Sequence, residues 1–468
     1  MSKSIYITTI ESNSGKSLVS LGLLRMMLNK SSKVGYFRPI INIGNNSAFD
    51  DHTNTALKYF NLNIKYEDCF TYEQNEIIAL LSEGKSDEII QKIIKHYKKL
   101  EAEYDYVLIE GTDFSGDGGF TEVDVNLMIA KNLGVPVLIV GAGNGKKKKD
   151  FINTMQLTYK SFIKKDVAVI GLIANKIEID EQEYISEKLR KIIPLEVPID
   201  VIPNINFLAN PTVKEVVEIL KGKVLFGNQF LDNSIESFST GAMQLRNYLT
   251  RIKENSLVIT PGDRADIILG ALQANASTNY PKISGIILTG GLMPEESILK
   301  LIEGLSSIVP IISVKGGTFS VANEIGKIKS RIYAENIEKI ETSIATFEKH
   351  VDTDKLANDL ITFRSDIFTP RMFQYNLLQR ALKDKKHIVL PEGDDERVLK
   401  AAARLIDAHV VELTLIGEKE KIKERIENYD ISLDINDVNI INPIESPHFK
   451  DYVNTFYELR KHKGVNLD

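Results

Sequence analysis

The stretch HIVLPEGDDERVLKAAARLI, residues 387–406, predicts a strand, a loop and a helix in direct succession. The apolar run is a short strand that stops at Pro391, and Gly393 relaxes the turn that follows. Asp394 and Asp395 then favour the positive end of a helix. The apolar side chains of that helix recur on one face and comprise Val398, Leu399, Ala402, Leu405 and Ile406. The stretch therefore predicts the start of an α/β domain late in the chain.

The same alternation of strand and helix fills the rest of the sequence. Apolar runs such as SIYITTI, DYVLIE and VPVLIV alternate with amphipathic stretches up to about residue 220. Continuous apolar strands separated by helices are typical of a parallel sheet that helices cover on both faces. We therefore predict a three-layer, doubly wound α/β domain over 1–220. A smaller α/β domain with strands in LVIT, SGIILTG and VPIISV is predicted over 221–350, and a third over 351–468.

The composition excludes several classes of protein. The formal charge of −6 gives no sequence-wide attraction for nucleic acid or for an anionic membrane. The longest apolar runs are far shorter than the roughly 18 residues that a transmembrane helix requires. The single cysteine, Cys69, excludes an intramolecular disulfide and any multi-cysteine metal site. With no export signal visible, we expect a cytoplasmic protein that binds neither nucleic acid nor membrane.

A loop after the first strand has the composition of a phosphate site. In ESNSGKSLVSLGLL, residues 11–24, Gly15 lets backbone N–H groups surround an anion, and Lys16 is placed to meet the outer phosphates. Ser17 would hold Mg²⁺ at the start of the following helix. However, Ile10 stands where the leading glycine of the strict motif belongs. Two interpretations stay open, namely a site for ATP and Mg²⁺ and a loop that keeps its shape without a ligand.

Two further residues could contribute to that site. Glu110 ends the strand DYVLIE, where a carboxylate could reach the same Mg²⁺ as Ser17. Asn175 follows another strand and could contact a nucleotide base, although a strand-end turn explains it equally well. We predict no metal site other than the one at Ser17 and Glu110.

These segments together resemble the dethiobiotin synthetase type of P-loop domain. The resemblance implies phosphate and metal positions at Lys16, Ser17 and Glu110. Arg38, in FRPI, stands where that family has a lysine before the proline. An ATP-dependent ligase acting through these residues is therefore an alternative hypothesis for the function.

The middle of the chain contains a second signature. It consists of the segments TPGDRADIIL and ILTGGLMPEE. Both segments could have a purely structural role, in which Asp263 caps its helix and the glycines adopt positive φ in a turn. The two segments also resemble the small domains named for an Asp-Arg and Thr-Gly-Gly signature, which implies a ligand-sensing or assembly role. The signature residues are Asp263, Arg264, Thr289, Gly290 and Gly291. A non-catalytic regulatory or assembly subunit is therefore the other alternative hypothesis.

The order of the C-terminal segments points to a particular enzyme family. Three blocks resemble the opening of the phosphotransacetylase catalytic domain, namely residues 371–405, LTLIGEKEKI and YVNTFYELRKHKG. The order of the three predicted domains resembles that of the long bacterial phosphate acetyltransferases. The resemblance implies reversible acetyl transfer between acetyl-CoA and phosphate, giving acetyl phosphate and CoA without a required cofactor. Arg460 matches a family arginine associated with the phosphates of CoA, and Arg397 is a weaker candidate. Without the resemblance, Arg460 is a solvated residue at a basic helix end.

The C-terminal blocks match only the opening part of that catalytic domain, and the catalytic residues are expected beyond residue 468. We therefore expect little acetyl transfer by this chain alone, with the remaining part encoded separately or lost. We also expect a homo-oligomer, as in the family.

Overall fold

A computed structural model of the chain describes residues 3–11, 14–43, 48–112, 122–305, 309–328, 330–365 and 369–467. The chain divides into two compact units, Met1–Ile367 and Phe368–Asp468. No helix among the described residues has the length and apolar character needed to cross a membrane.

The N-terminal part of the first unit alternates strands with helices along the chain. Its strands are β1 (Lys3–Thr9), β2 (Val34–Phe37), β3 (Ile40–Ile41), β4 (Tyr72–Glu73), β5 (Tyr106–Glu110), β6 (Val137–Ala142), β7 (Val169–Ile177) and β8 (Ile199–Pro203). Its helices are α1 (Lys16–Leu28), α2 (Asp51–Phe60), α3 (Gln74–Ser82), α4 (Ser86–Glu103), α5 (Glu122–Leu133), α6 (Lys148–Lys164), α7 (Gln182–Arg190), α8 (Asn206–Ala209) and α9 (Val213–Leu220).

Six of these strands form one parallel sheet in the order β2-β5-β1-β6-β7-β8. Successive side chains of a strand point to opposite faces. Ile5 and Ile7 of β1 share a core with residues of α1, whereas Tyr6 donates a hydrogen bond to Asn126 of α5 at 2.7 Å. The sheet is therefore covered on both faces, which confirms the predicted doubly wound arrangement. β1 lies at its centre, so the loop after β1 opens at the carboxyl edge of the sheet.

A second sheet follows in the same unit. Its strands are β9 (Lys223–Phe226), β10 (Ser237–Thr240), β11 (Ser256–Pro261), β12 (Ile283–Thr289) and β13 (Ile311–Ser313). Its helices are α10 (Leu245–Leu249), α11 (Ala265–Ala276), α12 (Glu296–Glu303) and α13 (Thr318–Ile325). The strand order is β10-β11-β12-β13-β9, and β9 is antiparallel to β13. The sequence predicts β11, β12 and β13 but not β9 and β10, which lack a continuous buried apolar run.

The chain then returns to the first sheet through α14 (Ile337–His350) and α15 (Thr353–Thr362). Phe347 of α14 and Leu356 and Leu360 of α15 belong to the core that α1 forms on the sheet. Residues 353–362 therefore lie in the first compact unit, which ends at Ile367. The predicted domain boundaries at 220/221 and 350/351 stay a proposal.

The second unit is a smaller α/β arrangement. Its elements are α16 (Pro370–Lys383), β14 (Lys386–Leu390), α17 (Glu396–Asp407), β15 (Val411–Ile416), α18 (Lys419–Asn428), β16 (Asn439–Ile441) and α19 (Phe449–Arg460). The strands form a parallel sheet in the order β14-β15-β16. The stretch 387–406 folds as predicted, because Asp395 caps α17 by accepting from the backbone N–H groups of Arg397 and Val398. Single-turn 3₁₀ helices cover Tyr66–Cys69, Ile179–Glu181, Asn228–Phe230, Ile435–Asp437 and Lys461–Lys463.

Candidate functional site

A cavity of about 620 Å³ lies in the first unit at the carboxyl edge of the six-stranded sheet. The loop after β1, the ends of β6, β7 and β8, and the start of α2 form most of its wall. Residues Ile328 and Ser330–Ile332, which follow α13, line it as well. The cavity thus stands where parallel α/β sheets bind ligands.

Gly15 and Asn175 fix the shape of the loop that precedes α1. Gly15 has φ 81°, a left-handed conformation that glycine adopts without strain. A Cβ at this position would lie 2.1 Å from Nδ2 of Asn175. That buried amide also donates to the carbonyl oxygen of Ser14 at 2.9 Å, and its Oδ1 accepts from the N–H of Lys176 at 2.8 Å. Asn175 therefore supports the loop and at the same time lines the cavity.

Glu110 is the centre of a buried charged cluster below the loop. Its side chain is 1% exposed. Oε1 accepts from Nη1 of Arg38 at 2.5 Å and lies 2.7 Å from Nδ1 of His52. Oε2 accepts from the hydroxyls of Ser20 at 2.6 Å and Tyr36 at 3.0 Å. Both oxygens of this carboxylate are thus engaged by side chains of α1, β2 and α2.

Lys16 connects the loop to this cluster. Its Nζ donates to the carbonyl oxygen of Gly111 at 2.5 Å and lies 3.9 Å from Oε1 of Glu110. The side chain is 3% exposed although it lines the cavity. The ammonium group is therefore held at the end of β5, next to the position where a bound phosphate would sit.

The electrostatics of the cluster keep its carboxylates ionised. Burial opposes the charged form of Glu110, but His52, Arg38 and Lys16 outweigh it and hold the pKa of this carboxyl well below its ordinary value. Burial likewise opposes ionisation of Asp50, while Arg38, His52 and the backbone N–H of Thr53 lower its pKa. Glu110 is therefore a permanent negative charge that holds several cations in place.

The arrangement around Glu110 does not fit the predicted Mg²⁺ site. Mg²⁺ requires near-octahedral oxygen ligands and usually takes one or two carboxylates directly. Both oxygens of Glu110 are already within hydrogen-bonding distance of protein groups, and Oγ of Ser17 lies 3.4 Å from Nδ1 of His52. Within the described ranges, no group of three or more His, Cys, Asp or Glu side chains could hold a metal ion. Glu110 as observed therefore has no oxygen free for direct coordination of Mg²⁺, whereas binding of this cation by the Ser17 hydroxyl together with phosphate oxygens stays a prediction.

The segment after α13 forms the opposite wall of the cavity. Nη1 of Arg331 donates to Oδ2 of Asp51 at 2.8 Å, and the backbone N–H of Arg331 donates to Oε1 of Glu215 at 2.9 Å. Oγ of Ser330 donates to Oε2 of Glu215 at 3.1 Å and accepts from the buried Nζ of Lys339 at 2.6 Å. We call residues 330–332 the strap. The strap thus brings the guanidinium group of Arg331, from the segment after the second sheet, to the cavity at the edge of the first sheet.

The signature residues of the second sheet lie at one edge of it, at or just after the paired ends of β11 and β12. Arg264 donates to Asp266 at 2.8 Å and to the carbonyl oxygen of Met243 at 2.8 Å. α11 begins at Ala265 with Arg264 at its N-cap, so Asp263 stands one position too early to cap it. The turn at the end of β12 has Gly290 at φ 81° and Gly291 at φ 67°, and Oγ1 of Thr289 lies 2.8 Å from Oγ1 of Thr318. Their ligand-sensing or assembly role stays a prediction.

The two candidate arginines of the second unit are both exposed. Arg397 starts α17 with its side chain 88% exposed and pairs with Asp395, Nε to Oδ1, at 3.2 Å. Arg460 ends α19 and is also exposed. Their assignment to the phosphates of CoA stays a prediction.

Sequence reasoning did not place several residues that the fold brings to the cavity. Ser20 stands four positions after Lys16 on α1, so helical spacing could have placed both on one face. His52 follows the N-cap Asp50 without any recognisable motif. Arg331 is 280 positions from its partner Asp51, and no local pattern connects them.

Comparison with known proteins covers nearly the whole chain. Residues 3–212 match the family model of an AAA domain, 215–328 that of the DRTGG domain, and 372–468 that of phosphate acetyl/butaryl transferase. A phosphate acetyltransferase of Nitratidesulfovibrio vulgaris is 38% identical over 475 residues, covering 100% of this chain and 67% of that protein. One from Synechocystis is 38% identical over 469 residues, with the same two coverages. One from Pseudomonas putida is 28% identical over 476 residues, covering 99% of this chain and 67% of that protein.

The three family models follow each other in the order that the sequence predicts. The similarity to the two phosphate acetyltransferases at 38% identity extends through all three. The predicted α/β fold with these three parts is confirmed, and so is the predicted family. The chain belongs to the phosphate acetyltransferase family, a family of acyltransferases.

Proposed function

We propose that this protein takes part in reversible acetyl transfer between acetyl-CoA and phosphate, with acetyl phosphate and CoA as the other pair of substrates. The observation that carries the proposal is the 38% identity to phosphate acetyltransferases over the full length of the chain. Nothing in the comparisons favours the ATP-dependent ligase or the non-catalytic subunit. The proposal places the protein in the cytoplasm, where its substrates are soluble metabolites.

The proposed role of the second unit is to bind the substrate phosphates. A guanidinium group stays charged and can contact two phosphate oxygens at once, which suits Arg460 and Arg397 to CoA. The second unit also exposes large apolar side chains, with Leu377 53% and Phe456 56% exposed. Such surface is typical of an interface, either with the part of the relatives' catalytic domain that this chain does not match or with a second copy of the chain. The homo-oligomer itself is proposed from the family resemblance.

The acetyl-transfer proposal is tested by acetyl-CoA formation from acetyl phosphate and CoA. The 468-residue chain is assayed by itself and joined to the C-terminal part of the Nitratidesulfovibrio vulgaris relative that it does not match. We expect the joined protein to be active and Arg460→Ala to raise its KM for CoA roughly tenfold, because a charge-assisted hydrogen bond contributes about 1.5–3 kcal/mol. Lys461→Ala is the matched control on the neighbouring residue. An inactive joined protein, or an Arg460→Ala variant with unchanged KM, would contradict the proposal.

We also propose that the cavity of the first unit binds the phosphates of a nucleotide such as ATP. The support is the glycine turn at Gly15, the lysine that follows it, and the match of residues 3–212 to an AAA domain. Backbone N–H groups at the start of α1 can surround a phosphate there.

For Lys16→Ala we expect a loss of ATP affinity of at least about tenfold, because the variant removes the buried cation nearest the loop. Isothermal titration calorimetry measures the affinity, and circular dichroism confirms that the variant is folded. Lys33→Ala, at an exposed position before β2, is the control and should bind like the wild type. Equal ATP affinity of the Lys16→Ala variant and the wild type would place the nucleotide elsewhere.

A further inference from the structure

The cavity carries more positive than negative charge. Among the described residues that line it, the cationic side chains are Lys16, Arg38, Lys146, Lys176 and Arg331, and the carboxylates are Glu11, Asp50 and Asp51. Five cations against three carboxylates leave an excess of two, which the buried Glu110 behind Lys16 and Arg38 reduces to one. The start of α1 adds the partial positive charge of a helix N-terminus. The interior is therefore suited to a polyanion.

Glu110 does not supply a metal ion to this polyanion. Its two oxygens accept from Arg38, Ser20 and Tyr36 and lie beside His52, at distances of 2.5–3.0 Å. A cation at this carboxylate would have to displace buried partners, among them Arg38, which is only 2% exposed and would lose its main ion pair. Protein side chains can then supply the neutralising charge for a phosphate chain.

Arg331 is placed to supply part of that charge. Its side chain is 63% exposed, lines the cavity and pairs with Asp51 through a single N–H group. A guanidinium group has five N–H donors and binds phosphate through two of them at once. A phosphate in the cavity would thus offer Arg331 a better partner than the one carboxylate oxygen that it contacts here.

The strap holds the backbone of Arg331 while leaving its side chain adjustable. Glu215 of α9 is 4% exposed and accepts from the backbone N–H of Arg331 and the hydroxyl of Ser330. Lys339 of α14 is fully buried and donates to Ser330 and to the carbonyl oxygen of Asn210, each at 2.6 Å. The guanidinium group can therefore turn from Asp51 towards the cavity without a change in the position of the strap.

We propose that the cavity binds the phosphate groups of a nucleotide without a divalent cation, and that Arg331 turns from Asp51 to contact them. This inference rests on the proposed nucleotide site. It adds that the ligand is the metal-free nucleotide and that Arg331 contributes to its selection. The metal-free nucleotide keeps all its phosphate charges, which Lys16 at the loop and Arg331 on the strap meet from two sides of the cavity.

The test is a titration with ATP, once in buffer with EDTA and once in buffer with excess Mg²⁺. We expect the wild type to bind at least as tightly in EDTA as in Mg²⁺. Arg331→Ala should weaken binding in EDTA about tenfold, and Arg331→Lys should recover part of the loss because lysine keeps the charge but not the two-pronged geometry. Arg251→Ala, at an exposed position beyond the cavity lining, is the control and should bind like the wild type.

Two results would overturn this inference without contradicting the proposed nucleotide site. One is ATP binding that EDTA abolishes and Mg²⁺ restores, and the other is equal affinity of the wild type and Arg331→Ala in EDTA. Failure of ATP and ADP to bind in either buffer would overturn the nucleotide site itself. Circular dichroism of each variant shows whether a lost affinity has its origin in a lost fold.

Discussion

Replacing Glu110 with glutamine should destabilise the first unit by about 3–5 kcal/mol, the usual cost of removing one partner from a buried ion pair. Arg38 is 2% exposed and Lys16 is 3% exposed, so both cations are poorly hydrated when the carboxylate is neutralised. The hydroxyls of Ser20 and Tyr36 would in addition face an amide that supplies a single acceptor oxygen. The cost arises from several groups losing one common acceptor.

Urea denaturation followed by circular dichroism measures this effect, since the chain contains no tryptophan. Glu103→Gln, at an exposed position at the end of α4, is the matched control and should unfold like the wild type. Hydrogen exchange of β1 and β5 assigns the lost stability to the first sheet. A Glu110→Gln variant with the wild-type unfolding midpoint would show that the carboxylate does not hold the cluster together.

The pH dependence of stability gives a second measurement on the same carboxylate. The pKa of Glu110 in the folded chain is well below its ordinary value of 4.5, because the charges of His52, Arg38 and Lys16 outweigh the effect of burial. The stabilisation is therefore fully present above about pH 4.5 and is lost as the pH falls towards the lowered pKa. The wild type should lose more stability than Glu110→Gln over this acidic range.

The parts of the site that could be predicted from sequence are those whose signal is local. A strand, a glycine and a helix that follow each other within about 25 residues predict the loop at Gly15, Lys16 and Ser17. The end of an apolar run likewise predicts the position of Glu110 at the carboxyl edge. Each of these statements depends on neighbours in the sequence, so a single sequence is sufficient to make it.

The partners of those residues could not be predicted, because they come from distant elements. Arg38 reaches Glu110 from the residue after β2 and His52 from α2, and the strap that carries Arg331 follows the second sheet. The sequence also gives no indication that α14 and α15 return to the first core after a complete second sheet, since their apolar faces fit any neighbouring surface equally well. The engagement of Glu110 by protein cations is therefore a property of the fold.

The contact between α1 and α14 joins the middle of the helix that begins at Lys16 to the helix that follows the strap. Gly22 of α1 faces Phe347 of α14, and a Cβ on Gly22 would lie 2.1 Å from Cγ of that ring. Phe347 is fully buried. Phe347→Ala should therefore cost about 3–5 kcal/mol, the usual cost of a truncated buried phenylalanine. Loss of the ring would also loosen the helix that carries Lys16 against the helix that holds the strap.

The cost of Gly22→Ala should be smaller when the residue at position 347 is alanine. In the wild type the new methyl group collides with the ring, so we expect destabilisation of about 1–3 kcal/mol from overpacking. In the Phe347→Ala background the ring is gone, but the new methyl group would still lie 2.5 Å from Cβ of residue 347. The higher helix propensity of alanine, about 1 kcal/mol, then offsets part of the remaining strain, so Gly22→Ala should destabilise less than in the wild type. Urea denaturation of the four proteins of this double-mutant cycle measures both effects.

Gly270→Ala in α11, whose Cβ would meet only the tip of the flexible Leu245 side chain, is the control and should cost less. An equal effect of Gly22→Ala in both backgrounds would mean that the ring does not set the distance between the two helices.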